Sequence, residues 1–261
     1  RPLSGLAGFS EEAVAQELVA PFNGKGGENK SGGMNNNYLT VAVDNTEPVM
    51  LVLEKDRTIY RVADKLASGE HTVLVFKRNE SHCGHIEFMG LELAEGGALK
   101  ELPARPQRRI EFIGDSITCG YGNEAPDKDH HFCPLTENNY LAYGAVTARN
   151  FGAEYACLAW SGIGAYSSRG DLKNVMATRY DKILPWGSNE TWDFKQWTPQ
   201  VVFINLGTND FAKEDPADNY VKAYRELLKT IRGHYPDAQI LCGVGPMLGS
   251  GNRTKCIGYV E

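Results

Sequence analysis

Three short blocks bring together residue types that can do acyl chemistry, and each follows directly on an apolar run. Gly114-Asp115-Ser116-Ile117-Thr118 comes after residues 109–113, Ala159-Trp160-Ser161-Gly162-Ile163-Gly164 after 153–158, and Gly207-Thr208-Asn209-Asp210 after 201–206. A serine at a strand-to-helix turn can present its hydroxyl at a sheet edge while its own N–H points toward an oxyanion. A glycine in the second block lets peptide N–H groups approach a ligand, and the Asn209 carboxamide can donate to the same oxygen. A serine among convergent donors describes an acyl-transfer site. Taken singly, the same residues have plainer uses: Ser116 as a helix N-cap, Gly162 as a turn residue, Asn209 in a left-handed or capping position. Asp115 reads as a structural carboxylate that bonds loop amides, and Asp210 as a loop or cap carboxylate.

These blocks need elements to hold them. From residue 103 on, strand and helix alternate: strands at 109–113, 153–158, 201–206 and 239–244, helices at 139–150 and 217–233, and a short helix near 171–180. Continuous apolar strands between helices predict a parallel α/β sheet, whose ligands bind at the carboxyl ends of the strands, so the three blocks should share one rim. Residues 1–102 read differently, as short alternating runs at 38–43, 49–53, 71–76 and 86–89 separated by Asp, Asn and Gly turns, the pattern of an antiparallel β-sandwich. The Gly- and Asn-rich stretch 23–37 reads as a flexible loop between strands. Glu95-Gly96-Gly97 and Pro103-Ala104-Arg105-Pro106 mark the linker, giving two domains, 1–102 and 103–261.

Composition narrows the partners. The 261 residues carry a net charge of -6, which disfavours a nucleic-acid backbone, and no apolar run approaches the length of a membrane span. Six cysteines form no CxxC pair, leaving scattered disulfides or free thiols, with Cys119 and Cys133 able to close a short loop. His82-Cys83-Gly84-His85 supplies too few ordered ligands, and no metal or cofactor is expected. Sequons at Asn29, Asn79, Asn189 and Asn252 would suit a secreted glycoprotein, and the opening Arg1-Pro2-Leu3 suggests a processed or cut chain. Trp186, Trp192 and Trp197 could stack on sugars or form a satellite apolar cluster. Trp160, beside Gly162, is the better candidate to line an acyl pocket, with buried packing as its alternative.

In that order, Gly-Asp-Ser, a glycine block and Gly-Thr-Asn-Asp resemble the first three signature blocks of the SGNH (GDSL-like) hydrolases. Residues 109–118, 137–145 and the preceding strands at 71–78 look like carbohydrate esterase family 2, two-domain acetylesterases that deacetylate plant cell-wall polysaccharides such as xylan and glucomannan. The resemblance implies a jelly-roll-like sandwich followed by an α/β hydrolase domain. It also implies Ser116 as nucleophile and the Ser116 N–H, Gly162 N–H and Asn209 side chain as oxyanion donors. The family's last block, an Asp-x-x-His that carries the general base, has no counterpart after Asn209, where only His234 follows, near the end of a helix. The chain is therefore expected to be incomplete at its carboxyl end. Asp127-Lys128-Asp129-His130-His131 contains its own Asp-x-x-His, which makes His130, or else His131, a possible replacement base. The expectation is a secreted serine esterase acting on acetylated polysaccharide, without nucleic acid or membrane. Its rivals are a carbohydrate-binding protein with an inert hydrolase half, and a short-chain lipase or thioesterase.

Overall fold

Runs of alternating apolar and polar residues bury one face each, and two such sheets satisfy one another by stacking. A computed structural model describes residues 5–10, 17–26, 37–44, 46–54, 57–93, 95, 97–101, 104–183 and 190–261. The chain divides into two compact units, Pro106–Tyr121 with Leu141–Glu261, and the described residues up to Arg105 with Gly122–Tyr140.

The second of these is all antiparallel. Strands β1 (Gly5–Ser10), β3 (Tyr38–Val43), β4 (Val49–Val52), β6 (Glu70–Lys77) and β9 (Ala98–Leu99) form one sheet in the order β4-β3-β6-β1-β9. The other sheet runs β5-β2-β7 through β2 (Glu17–Gly26), β5 (Ile59–Asp64) and β7 (Gly84–Phe88), with β8 (Glu92–Leu93) also paired to β2. Leu39, Val41 and Val73 from the first sheet meet Tyr60, Val62, Ile86 and Leu93 from the second, the contact that makes a sandwich. The expected loop at 23–37 begins inside this sheet: Asn23 pairs with Glu87 and Gly26 with Gly84. A ready row of backbone partners on β7 overrides the weak strand preference of Asn and Gly. Residues 27–36 lie outside the described ones.

Gly122–Tyr140 joins this unit through buried polar contacts. Glu137 accepts the Glu80 N–H at 3.1 Å, the Asn139 N–H donates to the Arg78 carbonyl at 2.7 Å, and Arg78 pairs with Glu124. Burial, with the Glu80 carboxylate beside it, raises the Glu137 pKa strongly. Local hydrophobic periodicity carries no trace of such contacts, and a reading by composition places 122–140 with the residues that flank it.

The other unit holds four parallel strands, β10 (Arg108–Gly114), β11 (Ala153–Ala159), β12 (Val201–Asn205) and β13 (Gln239–Gly243), in the order β11-β10-β12-β13. Helices α1 (Ser116–Cys119), α2 (Tyr143–Asn150), α3 (Ala217–His234) and α4 (Ser250–Val260) accompany them. On α3 the buried Tyr220, Tyr224, Leu227 and Ile231 repeat at helical spacing and cover a core of Ile113, Leu158, Val202, Ile204 and Leu206. The expected helix near 171–180 is only a 3₁₀ turn, Met176–Thr178. The Asp171 carboxylate accepts the Lys173 and Asn174 N–H groups at 2.8 and 3.2 Å, and a short polar side chain that bonds its own backbone competes with helix formation. Among the described residues no helix is long and apolar enough to cross a membrane.

Gly144 shows how closely α2 lies on the sheet, since a Cβ there would sit 2.9 Å from Phe112 Cγ. Gly144→Ala in an open helix would gain about 1 kcal/mol. Here overpacking is expected to reverse the sign, with a loss of about 1–3 kcal/mol read from the midpoint of urea unfolding.

Candidate active site

Strands β11, β10 and β12 end level. Gly114 pairs with Ala159 on one side and Asn205 on the other, so the segments that follow leave the sheet at one height. Gly114 has no room for a side chain, because a Cβ would fall 2.0 Å from Thr118 Oγ1 and 2.9 Å from the Asn205 carbonyl oxygen. The chain therefore turns tightly into α1. Asp115, fully buried, caps that helix: its Oδ1 accepts the Ile117 N–H at 3.0 Å. Because Asp115 is the cap, the half-buried Ser116 is the first helical residue, and neither its hydroxyl nor its N–H has a partner among the described residues. Thr118 Oγ1 lies 2.9 Å from the Tyr143 hydroxyl, fixing the far side of the same turn.

The second block is shaped from below by the third. Gly162 has φ +86°, a left-handed conformation that glycine adopts without strain, and its N–H is unpartnered among the described residues. Three residues on, the Ala165, Tyr166 and Ser167 N–H groups donate to the Asp210 carboxylate at 3.1, 2.7 and 2.9 Å. A Cβ on Gly164 would stand 2.2 Å from the Ser167 carbonyl oxygen and 2.8 Å from Asp210 Oδ1, so the close wrap requires glycine. Burial raises the Asp210 pKa, while the three amide donors pull it back. Asn209, next in the chain and 8% exposed, ties the first two blocks together. Its Nδ2 donates to the Ile163 carbonyl at 2.9 Å and reaches Asp115 Oδ2 at 3.4 Å, leaving one well-made hydrogen bond and one long one.

The structure thus brings Ser116, Asn209 and the loop of Gly162 into one connected corner. Asp115 and Asp210 take structural parts as carboxylates that order loop amides. Trp160 is 4% exposed and packs within the core, the alternative to lining an acyl pocket. Trp197 is likewise buried and donates from Nε1 to Glu154 at 2.8 Å, while Trp186 lies outside the described residues. His130 and His131 are exposed and belong to the unit that contains Gly122–Tyr140. His234 stacks on Phe194 with ring centroids 3.5 Å apart.

All six cysteines, Cys119 and Cys133 included, are free thiols. His82 pairs with Glu80 at 3.1 Å and the Cys83 thiol faces Glu137 at 3.8 Å, whereas the side chain of His85 lies outside what is described. Of the sequons, Asn79 is 4% exposed and closed to a glycan, Asn252 is exposed on α4, and Asn29 and Asn189 lie outside the described residues. The reading of the sequence missed Gly164, Thr118 and Tyr143. The Gly-x-Gly spacing at 162–164 was a signal for the first, but nothing local announced the hydroxyl pair.

A family model described as GDSL-like Lipase/Acylhydrolase family matches residues 112–257, and one described as Carbohydrate esterase 2 N-terminal matches residues 12–103. The chain is 40% identical over 233 residues to the Cellulase/esterase CelE of Acetivibrio thermocellus, covering 88% of this chain and 28% of that protein. It is 32% identical over 225 residues to an Acetylxylan esterase / glucomannan deacetylase of Cellvibrio japonicus, covering 78% and 60%. It therefore spans less than two thirds of the length of either. A solved structure of a family two carbohydrate esterase from Clostridium thermocellum in complex with cellohexaose superposes with a TM-score of 0.87 at 37% identity, covering 98% of this chain and 74% of that one.

Asp115 should leave a signature in stability. Burial pushes its pKa up to about 6 from 3.8, chiefly by desolvation and against the pull of its Ile117 and Thr208 hydrogen bonds. The folded protein then keeps a proton that the unfolded chain has released. The resulting stabilisation is full below about pH 4 and is lost as pH rises through about 6, by roughly 3 kcal/mol at most. Asp115→Asn keeps an oxygen acceptor but cannot ionise. The difference in urea midpoint between the two proteins, followed from about pH 4 to 7, is expected to move in the variant's favour as pH rises.

Proposed function

The chain belongs to the GDSL-like lipase/acylhydrolase family and to carbohydrate esterase family 2, and from that premise we propose that it is a serine esterase that removes acetyl groups from plant cell-wall polysaccharides such as xylan and glucomannan. One observation carries this reading: at strand ends held level, a serine hydroxyl and two peptide N–H groups, those of Ser116 and Gly162, have no partner among the described residues, and Asn209 links the blocks that bear them. A half-buried corner that leaves donors unspent is suited to a charge that exists only during reaction.

In this mechanism Ser116 Oγ attacks the acetyl carbonyl carbon, and the carbonyl oxygen gathers negative charge against the Ser116 N–H, the Gly162 N–H and the Asn209 carboxamide. Asn209 reaches it with the N–H that otherwise makes only the long contact to Asp115. The proton leaving Oγ passes to a histidine base and on to the sugar oxygen as the C–O bond breaks, giving an acetyl-enzyme. Water then attacks that ester, returns a proton to Ser116 through the base and releases acetate. Acyl transfer through serine calls for no cofactor. A polymeric wall substrate calls for an esterase outside the cell that makes it, and the exposed sequon at Asn252 supports that reading.

The base is the open position. Within this sequence the one Asp-x-x-His runs from Asp127 to His130, which is exposed and belongs to the unit other than that of Ser116. The likeness to an esterase structure solved with cellohexaose favours a second reading, a carbohydrate-binding protein with a silent hydrolase half. Titration with cello- and xylo-oligosaccharides beside an acetate-release assay separates the two.

Ser116→Ala is expected to abolish turnover of p-nitrophenyl acetate and acetylated xylan, and persistent activity would overturn the nucleophile. Asn209→Ala is expected to lower kcat by about 10²–10³-fold with little change in KM, the effect of losing one oxyanion donor.

A further inference from the structure

Beside the Gly162 loop lies a two-residue turn with an uncommon occupant. Ser168 and Asp171 bond each other's backbone, N–H to carbonyl, at 2.8 and 3.1 Å, and the residues between them, Arg169 and Gly170, have φ +56° and +102°. Positive φ at both central positions is the type I′ turn, which favours Asn, Asp or Gly first, whereas arginine there holds a strained backbone. The strain is held in place by neighbours of the proposed site, since the Arg169 N–H donates to the Asn209 carbonyl at 3.3 Å and the Gly170 N–H to Ser167 Oγ at 2.9 Å. The Arg169 Cδ is the heavy atom that a Cβ on Gly162 would meet first, at 3.9 Å, so the side chain runs past the glycine whose N–H faces the developing charge.

A second cation stands next to it. Lys213, three residues beyond Asp210, extends over Gly170 so closely that a Cβ there would fall 2.5 Å from its Nζ. Arg169 and Lys213 are both exposed, and neither has an acidic partner among the described residues. The nearby carboxylates are committed, Asp171 to Lys173 and Asn174, and Asp210 to the three amides above it. In a chain of net charge -6, two unpaired cations on one turn at the edge of the site, Arg169 running past Gly162 and Lys213 lying over Gly170, form a local field of the opposite sign.

We propose that Arg169 and Lys213 form a subsite for a carboxylate carried by the glycan close to the scissile acetyl ester, so that the preferred substrate is an acetylated, uronate-bearing polysaccharide. A planar guanidinium matches a carboxylate with two parallel N–H···O bonds, and the lysine ammonium adds a point charge to the same group. This inference rests on the esterase reading for its position relative to the ester, while the subsite itself depends only on the turn.

Acetylated xylo-oligosaccharides with and without a glucuronic acid branch supply the test. The wild-type protein is expected to favour the branched ester by about tenfold in kcat/KM, and the preference to shrink as sodium chloride rises from about 20 to 500 mM. In Arg169→Gly with Lys213→Gln, where glycine removes the charge and suits the positive φ, the ratio of branched to unbranched is expected to fall close to one. No preference in the wild-type protein, a preference that survives the double substitution, or an equal gain from a sulfated branch would each overturn the assignment. Calorimetric titration of Ser116→Ala with the unacetylated branched oligosaccharide reads the subsite without chemistry. Binding that disappears when the two cations are also replaced supports it even if no ester is hydrolysed, and in that event it is the esterase reading that fails.

Discussion

The Asp210 carboxylate, withdrawn from water, is compensated by the peptide N–H groups of Ala165, Tyr166 and Ser167, and those groups are in turn held in one direction by it. A buried acceptor that lost these donors would bear the full cost of desolvation, so the loop after β11 has one favourable path and little freedom to leave it. Asn209 precedes Asp210 in the chain, and any shift of the clamp moves the carboxamide as well. One dipeptide at the end of β12 therefore sets the shape of the neighbouring loop and aims a donor at the corner that loop encloses.

Asp115 does the corresponding task after β10. By accepting the Ile117 N–H it takes the capping role that Ser116 could have filled, which leaves the serine hydroxyl uncommitted at the first position of a four-residue helix. The two aspartates are close enough that Asp210 adds to the rise in the Asp115 pKa. The level strand ends make this arrangement possible: with Gly114 opposite both Ala159 and Asn205, a one-residue slip in either pairing would turn every side chain of that strand to the other face and separate the blocks.

The strands that bear the site were readable because their apolar runs are bounded by Gly and Asp and separated by a helix whose buried residues repeat at helical spacing, a signal that needs no knowledge of contacts. Runs at 38–43, 201–206 and 217–233 are read from side-chain pattern alone and lie within a residue of the observed elements. Where backbone partners decide the outcome, the pattern says little. Residues 23–26 are strand because β7 is there to bond them, and 171–180 is mostly turn because Asp171 bonds its own backbone.

The residue types of the site and their order along the chain were determined by sequence alone, since nucleophile, glycine and carboxamide are chemical identities that no folding can alter. What those groups face was decided only by tertiary structure. The burial of Trp160, the assignment of Asp210 to three amides from a segment more than forty residues earlier, and the course of Arg169 past Gly162 depend on which chain segments meet in space. The physical reason is range: propensity and periodicity act over a few residues, while desolvation and hydrogen bonding act between whatever groups the fold brings within a few ångströms.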